Sequence, residues 1–240
     1  MQKQIINAVL YSYLILISVN LVSAQTWIEC LDSSKVYQEN MDYETALEWA
    51  FKAEGKAKEK FGELDTSYAA SLLQIAELFY YSGNLDSAIT YQKAHLILSR
   101  KLYDNNHQNL AESIKNMAYL YDKIGKYREA ERLFKEELKM NRRLFNGDNR
   151  DVASSMIWMA NYYYQQANYN EAEPLYKEAL QMMRRLFKGD HPDLASSIVW
   201  MANFYNMQGN YNEAEPLYEE ALEMMRRLFK EDHPDLASSI

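Results

Sequence analysis

Cysteine occurs once in this chain of 240 residues, as Cys30, so no internal disulfide can form. A structural zinc site of the Cys and His type would need further thiol or imidazole ligands, and none stands near Cys30 in the sequence. The residue is expected to fill a small apolar place in an irregular first helix. Glycine and proline are also scarce, at 7 and 4 residues against 20 Tyr and 12 Met. So few turn-forming residues disfavour a fold of many short strands and favour an all-α protein. Positive charge is short as well: the formal net charge is -8, and no basic stripe interrupts it. Such a surface repels phosphate backbones, which argues against a nucleic-acid partner. Apolar residues, at 48%, are too many for a disordered composition.

Long apolar runs are missing except at the start, in MQKQIINAVLYSYLILISVNLVSAQ. Lys3, an apolar middle from Ala8, and Val22-Ser23-Ala24 follow the order of a secretory signal, with cleavage expected after Ala24. A retained anchor is the alternative. As a helix, however, Ala8 to Ala24 would reach only about 25 Å against a hydrocarbon core of about 30 Å. A lipid anchor would need a cysteine right after the small residues, and Gln25-Thr26-Trp27 stands there instead. Residues 1–24 are thus expected to be a signal peptide, with no stable membrane span left after its removal. An exported chain without disulfides fits a bacterial periplasm or cell surface.

What is present is repetition. NYNEAEPLYKEALQMMRRLF at 168–187 returns as NYNEAEPLYEEALEMMRRLF at 210–229. In blocks of 42 the chain divides into 64–105, 106–147, 148–189 and 190–231, after an irregular first copy at 25–63. The last two full blocks agree at 30 of 42 positions, too many for chance, and the weaker copies keep the skeleton. Ala46, Ala88, Ala130, Ala172 and Ala214 stand in register, as do Tyr37, Phe79, Tyr121, Tyr163 and Tyr205.

Each block reads as two helices. Leu194, Ile198, Met201, Ala202 and Tyr205 recur at three and four, which predicts a helix over Pro192 to Met207 with one apolar face. Gly209 supplies the turn. A second stripe follows through Ala214, Leu217, Tyr218, Ala221, Leu222 and Met225, with Asn210 or Asn212 as its capping side chain. The later start would keep Pro216 near the first turn, where proline is tolerated, and the earlier one would leave it inside the helix. Ala202 and Ala214 are expected where the two helices cross. A helical pair with one apolar face cannot bury that face alone, so stacking on the next copy must close the core.

These residues resemble the tetratricopeptide repeat in the long, 42-residue form of kinesin light chains. The match in block five lies at Ile198, Met201, Ala202, Tyr205, Gly209, Tyr211, Ala214, Tyr218 and Ala221. Block four matches at Met156, Met159, Ala160, Tyr163, Ala167, Tyr169, Ala172, Tyr176 and Ala179. The resemblance implies a right-handed superhelical solenoid of stacked antiparallel helix pairs. Block three departs at Glu137, where the family has a small residue. In block two Gln92 and His95 replace an aromatic and an alanine, with Tyr91 and Ala94 one place early, so a rotated or irregular second helix is expected. Block one has the weak first helix of a terminal copy. Residues 232–240 read as the start of a further repeat, which suggests that more chain originally followed.

No catalytic constellation, glycine-rich phosphate loop or cofactor motif is present, so the expectation is a protein that is not an enzyme and binds no cofactor. His107, His191 and His233 recur one repeat apart and His95 lies within a helix. Ligands spread over successive layers cannot converge on one ion, so no metal site is expected. Arg142-Arg143, Arg184-Arg185 and Arg226-Arg227 read as compensation of helix C-termini plus salt bridges to neighbouring glutamates. A ladder for acidic partners is the other reading.

The family lines its concave side with first helices. The positions there that the buried stripe does not claim are Ser154, Ile157, Trp158, Asn161, Tyr164 and Gln165 in block four. In block five they are Ser196, Val199, Trp200, Asn203, Asn206 and Met207. The two tryptophans could anchor a partner, and the two asparagines could bond both N–H and C=O of an extended peptide. Family members that grip a chain-terminal carboxylate use Lys followed four residues later by Asn. Lys115 with Tyr119, Ile157 with Asn161 and Val199 with Asn203 each lack half of that pair. A protein or extended peptide of more apolar character is the expected partner, bound by an exported scaffold. A sensory or regulatory role within a larger signalling or protease-like protein, and structural self-association, are the competing expectations.

Overall fold

The computed structural model describes residues 26–229; the leader at 1–24 and the further repeat start at 232–240 lie outside the described residues. Ten α-helices and no strand occur among the described residues. The first four are α1 (Trp27–Glu39), α2 (Tyr43–Phe61), α3 (Thr66–Tyr81) and α4 (Leu85–Leu102). Then come α5 (Gln108–Lys123), α6 (Tyr127–Leu144), α7 (Arg150–Gln165), α8 (Tyr169–Leu186), α9 (Pro192–Met207) and α10 (Tyr211–Leu228). Starts at 66, 108, 150 and 192 recur every 42 residues, as do those at 43, 85, 127, 169 and 211. The helical period written in the sequence is therefore the period of the backbone.

The chain forms two compact units, one ending at Leu102 and the other beginning at Tyr103. Within each unit, a first helix packs most extensively on the second helix of its own pair. That second helix then meets the first helix of the following pair. This is the all-α stack of helix pairs that the repeat implies. In the second unit one core cluster runs from Leu138 on α6 through Met156, Tyr176, Ile198 and Phe204 to Met224 on α10. It crosses every pair boundary on its way, so no pair there closes its own core. Burying each such large side chain contributes about 1.5–3 kcal/mol. The small residues of the stripes are enclosed: Ala160, Ala172 and Ala202 are fully buried, and Ala214 almost so. The first unit uses smaller clusters, such as Ala46 and Ala50 against Ile75 and Leu78. Cys30 packs with Leu31 and Ala53, and burial pushes its thiol pKa up.

The helix starts settle one question that the sequence left open and correct one expectation. α8 and α10 begin right after Asn168 and Asn210, the earlier of the two starts, so Pro174 and Pro216 lie inside their helices. Both prolines face solvent, where water can satisfy the carbonyl four residues back that loses its N–H partner. The expected Asn cap bond is not made. Asn168 and Asn210 stand at the N-cap positions with ψ of 68° and 64°, but neither side chain accepts from the first-turn N–H groups.

The second correction concerns α4. Its register is not rotated. Gln92 and His95 are buried in the places that Phe134 and Glu137 occupy on α6, whereas Ala94 is exposed. The helix start, 42 residues before that of α6, decides the facing, and polar side chains are carried inward with it.

Candidate functional site

The first helices of the second unit acquire their orientation from their buried stripes. On α7, Val152, Met156, Met159 and Ala160 face the core, and this turns Ser154, Ile157, Trp158 and Asn161 toward the side shared with α5 and α9. The N-termini of α5 and α9 are held by histidines that the sequence had offered as metal ligands, and that of α7 by Asn149. The imidazole Nδ1 of His107 accepts from the Asn109 N–H at 3.2 Å, and that of His191 from the Asp193 N–H at 3.1 Å. Each ring also stacks, on Tyr103 and Phe187 respectively. Among the described residues no group of three or more His, Cys, Asp or Glu is placed to hold a metal ion.

Two adjoining clefts open on this side. One is lined by Ser154, Ile157, Trp158, Asn161, Ser196 and Trp200, together with Arg150, Met183, Asp193 and Ser197. The other is lined by Trp158, Asn161, Tyr164, Gln165 and Trp200 with Tyr119, Asp122, Lys123, Phe134 and Tyr162. Trp158, Asn161 and Trp200 belong to both. The structure thus brings together Ser154, Ile157, Trp158, Asn161, Tyr164, Gln165, Ser196 and Trp200. Val199, Asn203, Asn206 and Met207 line neither cleft; Val199 packs against the core, and Met207 is exposed.

The two tryptophans are not equivalent. Trp158 is half-buried and meets Tyr119 edge to face, with 5.5 Å between ring centroids. Trp200 keeps 41% of its surface exposed, a large apolar area for a side chain at a cleft. The asparagines are also more constrained than their spacing suggested. The Tyr176 hydroxyl donates to Asn161 Oδ1, and the Tyr218 hydroxyl donates to Asn203 Oδ1. The amide oxygens already accept a bond, so each side chain turns mainly its NH₂ donors to a ligand. Ser196 spends its hydroxyl on the Pro192 carbonyl at 2.9 Å. Charge at the clefts is partly neutralised, since Arg150 pairs with Asp193 at 2.7 Å.

Sequence reasoning missed the contribution of α5. Tyr119, Asp122 and Lys123 stand 42 residues before Asn161, Tyr164 and Gln165, so carrying the chosen positions back one more repeat would have found them. The arginine pairs serve the stack. Arg142 reaches Glu178, Arg184 reaches Glu220, Arg185 reaches Asp148 and Arg227 reaches Asp190. Exposed pairs of this kind contribute little each, but they recur from one repeat to the next in the second unit.

A family model described as tetratricopeptide repeat matches residues 67–143, and a second with the same description matches 152–193 and 194–235. No curated protein matches the chain. Among solved structures, the nearly identical kinesin light chain TPR-like repeats from Podosopora anserina share 18% identity, at a TM-score of 0.70. That match covers 84% of this chain and 96% of that one. BtubC (BKLC) from P. vanneervenii shares 21% identity over 86% of this chain and 82% of its own, at a TM-score of 0.72. A Rap protein complexed with Competence and Sporulation Factor shares 16% identity, over 82% of this chain and 53% of that one, at a TM-score of 0.66. Identities this low establish a shared fold and carry no shared ligand.

Proposed function

The chain belongs to the tetratricopeptide repeat family, and on that premise we propose that it is an exported scaffold that recognises a protein or extended peptide along α5, α7 and α9. Its action is recognition without bond chemistry: a preformed surface lowers the ordering cost when a partner docks. The observation that carries the reading is the pair of clefts joined at Trp158 and Trp200, one ring propped on Tyr119 and the other open to solvent. A rigid aromatic beside a donor such as Asn161 suits an extended chain, with the ring covering a side chain and the amide reaching a carbonyl. The Rap structure, whose partner is Competence and Sporulation Factor, is consistent with this use of the fold. Export rests on the leader. Edman sequencing of the protein recovered from the cell envelope should begin near Gln25; a start at Met1 would leave the chain anchored or internal.

The binding role is tested by capture from an envelope extract, comparing the natural chain with Trp158→Ala plus Trp200→Ala. Loss of two aromatic anchors should weaken the captured partner by about tenfold or more, since each anchor at the centre of such a surface contributes about 1–2 kcal/mol. Helicity should stay unchanged, because neither ring belongs to the buried core. Equal capture by both proteins would remove these clefts from the binding site.

A further inference from the structure

Among the described residues lining the two clefts, Asp122 alone has a buried side-chain oxygen with no hydrogen-bond partner. It lies on the last turn of α5 and is 8% exposed, and its Oδ1 is buried with no hydrogen-bond partner. Buried carboxylate oxygens are normally met by donors, because taking the group out of water without them is costly. The cleft that it lines is also lined by Tyr119, Phe134, Trp158, Tyr164 and Trp200. Aromatic faces are negative at their centres and attract cations, the more so when water is excluded. Lys123 already rests its Nζ 5.0 Å from the centre of the Tyr119 ring, so a ring of this cleft does receive an ammonium group. The later repeats carry Tyr164 and Asn206 in the place of Asp122, so the acid is particular to this part of the groove.

We propose, resting on the groove reading above, that the cleft between α5 and α7 receives a lysine or arginine side chain of an extended peptide, its cationic head at Asp122 and its aliphatic stem along Tyr119 and Trp158. Charge complementarity selects this occupant. A carboxylate with one unanswered oxygen, in a cleft lined by aromatic rings, favours a cationic N–H donor and repels an acidic side chain, while the stem covers apolar ring surface. The charged groups facing Asp122 are few: Lys123 on its own helix draws its pKa down, against the upward push of burial. An incoming cation would hold the carboxylate ionised in the same way, without the constraint of sharing its helix.

The test follows the indole N–H resonances of Trp158 and Trp200 in the purified protein. The probes are the capped pentapeptides Ala-Ala-Lys-Ala-Ala and Ala-Ala-norleucine-Ala-Ala, and n-butylammonium. The lysine peptide should shift Trp158 saturably and bind about tenfold tighter than the norleucine peptide, the difference expected of one charge-assisted hydrogen bond. Asp122→Asn, of nearly the same shape, should abolish that preference and leave norleucine binding unaltered. Equal affinity for the two peptides in the natural protein, with Trp158 still responding, overturns the cationic occupant and leaves the groove standing. Silence of both indoles toward both peptides overturns occupant and groove together. If n-butylammonium matches the lysine peptide, the site takes free amines and the peptide source is overturned. The comparison of peptides in the natural protein decides the matter even if the variant does not fold.

Discussion

His95 in the first unit and Glu137 in the second occupy one place in the repeat, 42 residues apart, where the later pairs carry Ala179 and Ala221. The difference extends one helical turn. Ser99 follows His95 with its Oγ 3.3 Å from the ring Nε2, and Asn141 follows Glu137 and donates to its Oε1 at 2.8 Å. Ser155 on α7 adds a second bond to that oxygen at 2.7 Å. Met183 and Met225 take the same place after the alanines. The fold accepts either solution, a polar pair or an apolar one, because the register of the helices places both members inward together. What changes is titration. Burial drives the His95 pKa down from 6.5 to about 4 and the Glu137 pKa up from 4.5 to about 7.

The strongest way to break the comparison is to put the acid where its partner is missing. Ala179→Glu buries a carboxyl one turn from Met183, with no amide to meet it. The expected loss is about 3–5 kcal/mol at pH 8, as for other uncompensated buried charges. It would be read as the urea midpoint of the second unit from the Trp158 and Trp200 indole signals. A loss no larger than that of Ala179→Gln would show that charge is not what the place resists.

The two natural residues should give opposite pH slopes. His95 has a depressed folded pKa, so the stability it allows is present above about 6.5 and is lost as pH falls toward 4. Glu137 has a raised one; its support is complete below about 4.5 and is lost as pH rises through 7. Each full shift corresponds to a change on the order of 3 kcal/mol. Urea midpoints followed by Trp27 and Trp49 should fall on the acid side, and those followed by Trp158 and Trp200 on the neutral side. His95→Gln and Glu137→Gln should each flatten only its own slope. Parallel slopes in both units would refute the assignment.

The smallest effect sharpens the match between the two most similar pairs. Gly209 turns with φ of 75°, and Ala167 is held in the same left-handed region at 56°. A Cβ there costs about 1–2 kcal/mol, partly offset by the extra freedom that glycine has when unfolded. Ala167→Gly should therefore stabilise the second unit by about 1 kcal/mol, measured from the same tryptophans. A destabilisation would mean that the methyl group makes a contact worth more than the strain.

Much of the fold was legible, and for local reasons. Spacing at three and four placed α9 over Pro192 to Met207, and the alanines in register all proved to be buried. Capping was harder, since two asparagines stood within three residues; the helix starts at Tyr211, which leaves Asn210 at the cap position without a side-chain bond and Asn212 inside the helix. Gln92 and His95 misled, because Tyr91 and Ala94, one place early, suggested that the helix would rotate to bury them instead. In the groove, residue type suggested two matching tryptophans and two free asparagines. Packing on Tyr119 set the tryptophans apart, and the hydroxyls of Tyr176 and Tyr218 occupied the amides.

The sequence by itself determined the helices, their 42-residue step and the need for neighbours to cover each pair, since all three follow from the periodic spacing of apolar side chains along one chain. Only the tertiary structure decided which polar groups are enclosed and whether a partner meets them, because such contacts join residues on different helices and depend on how closely those helices approach. Asp122, Glu137 and His95 owe their chemistry to that second kind of information.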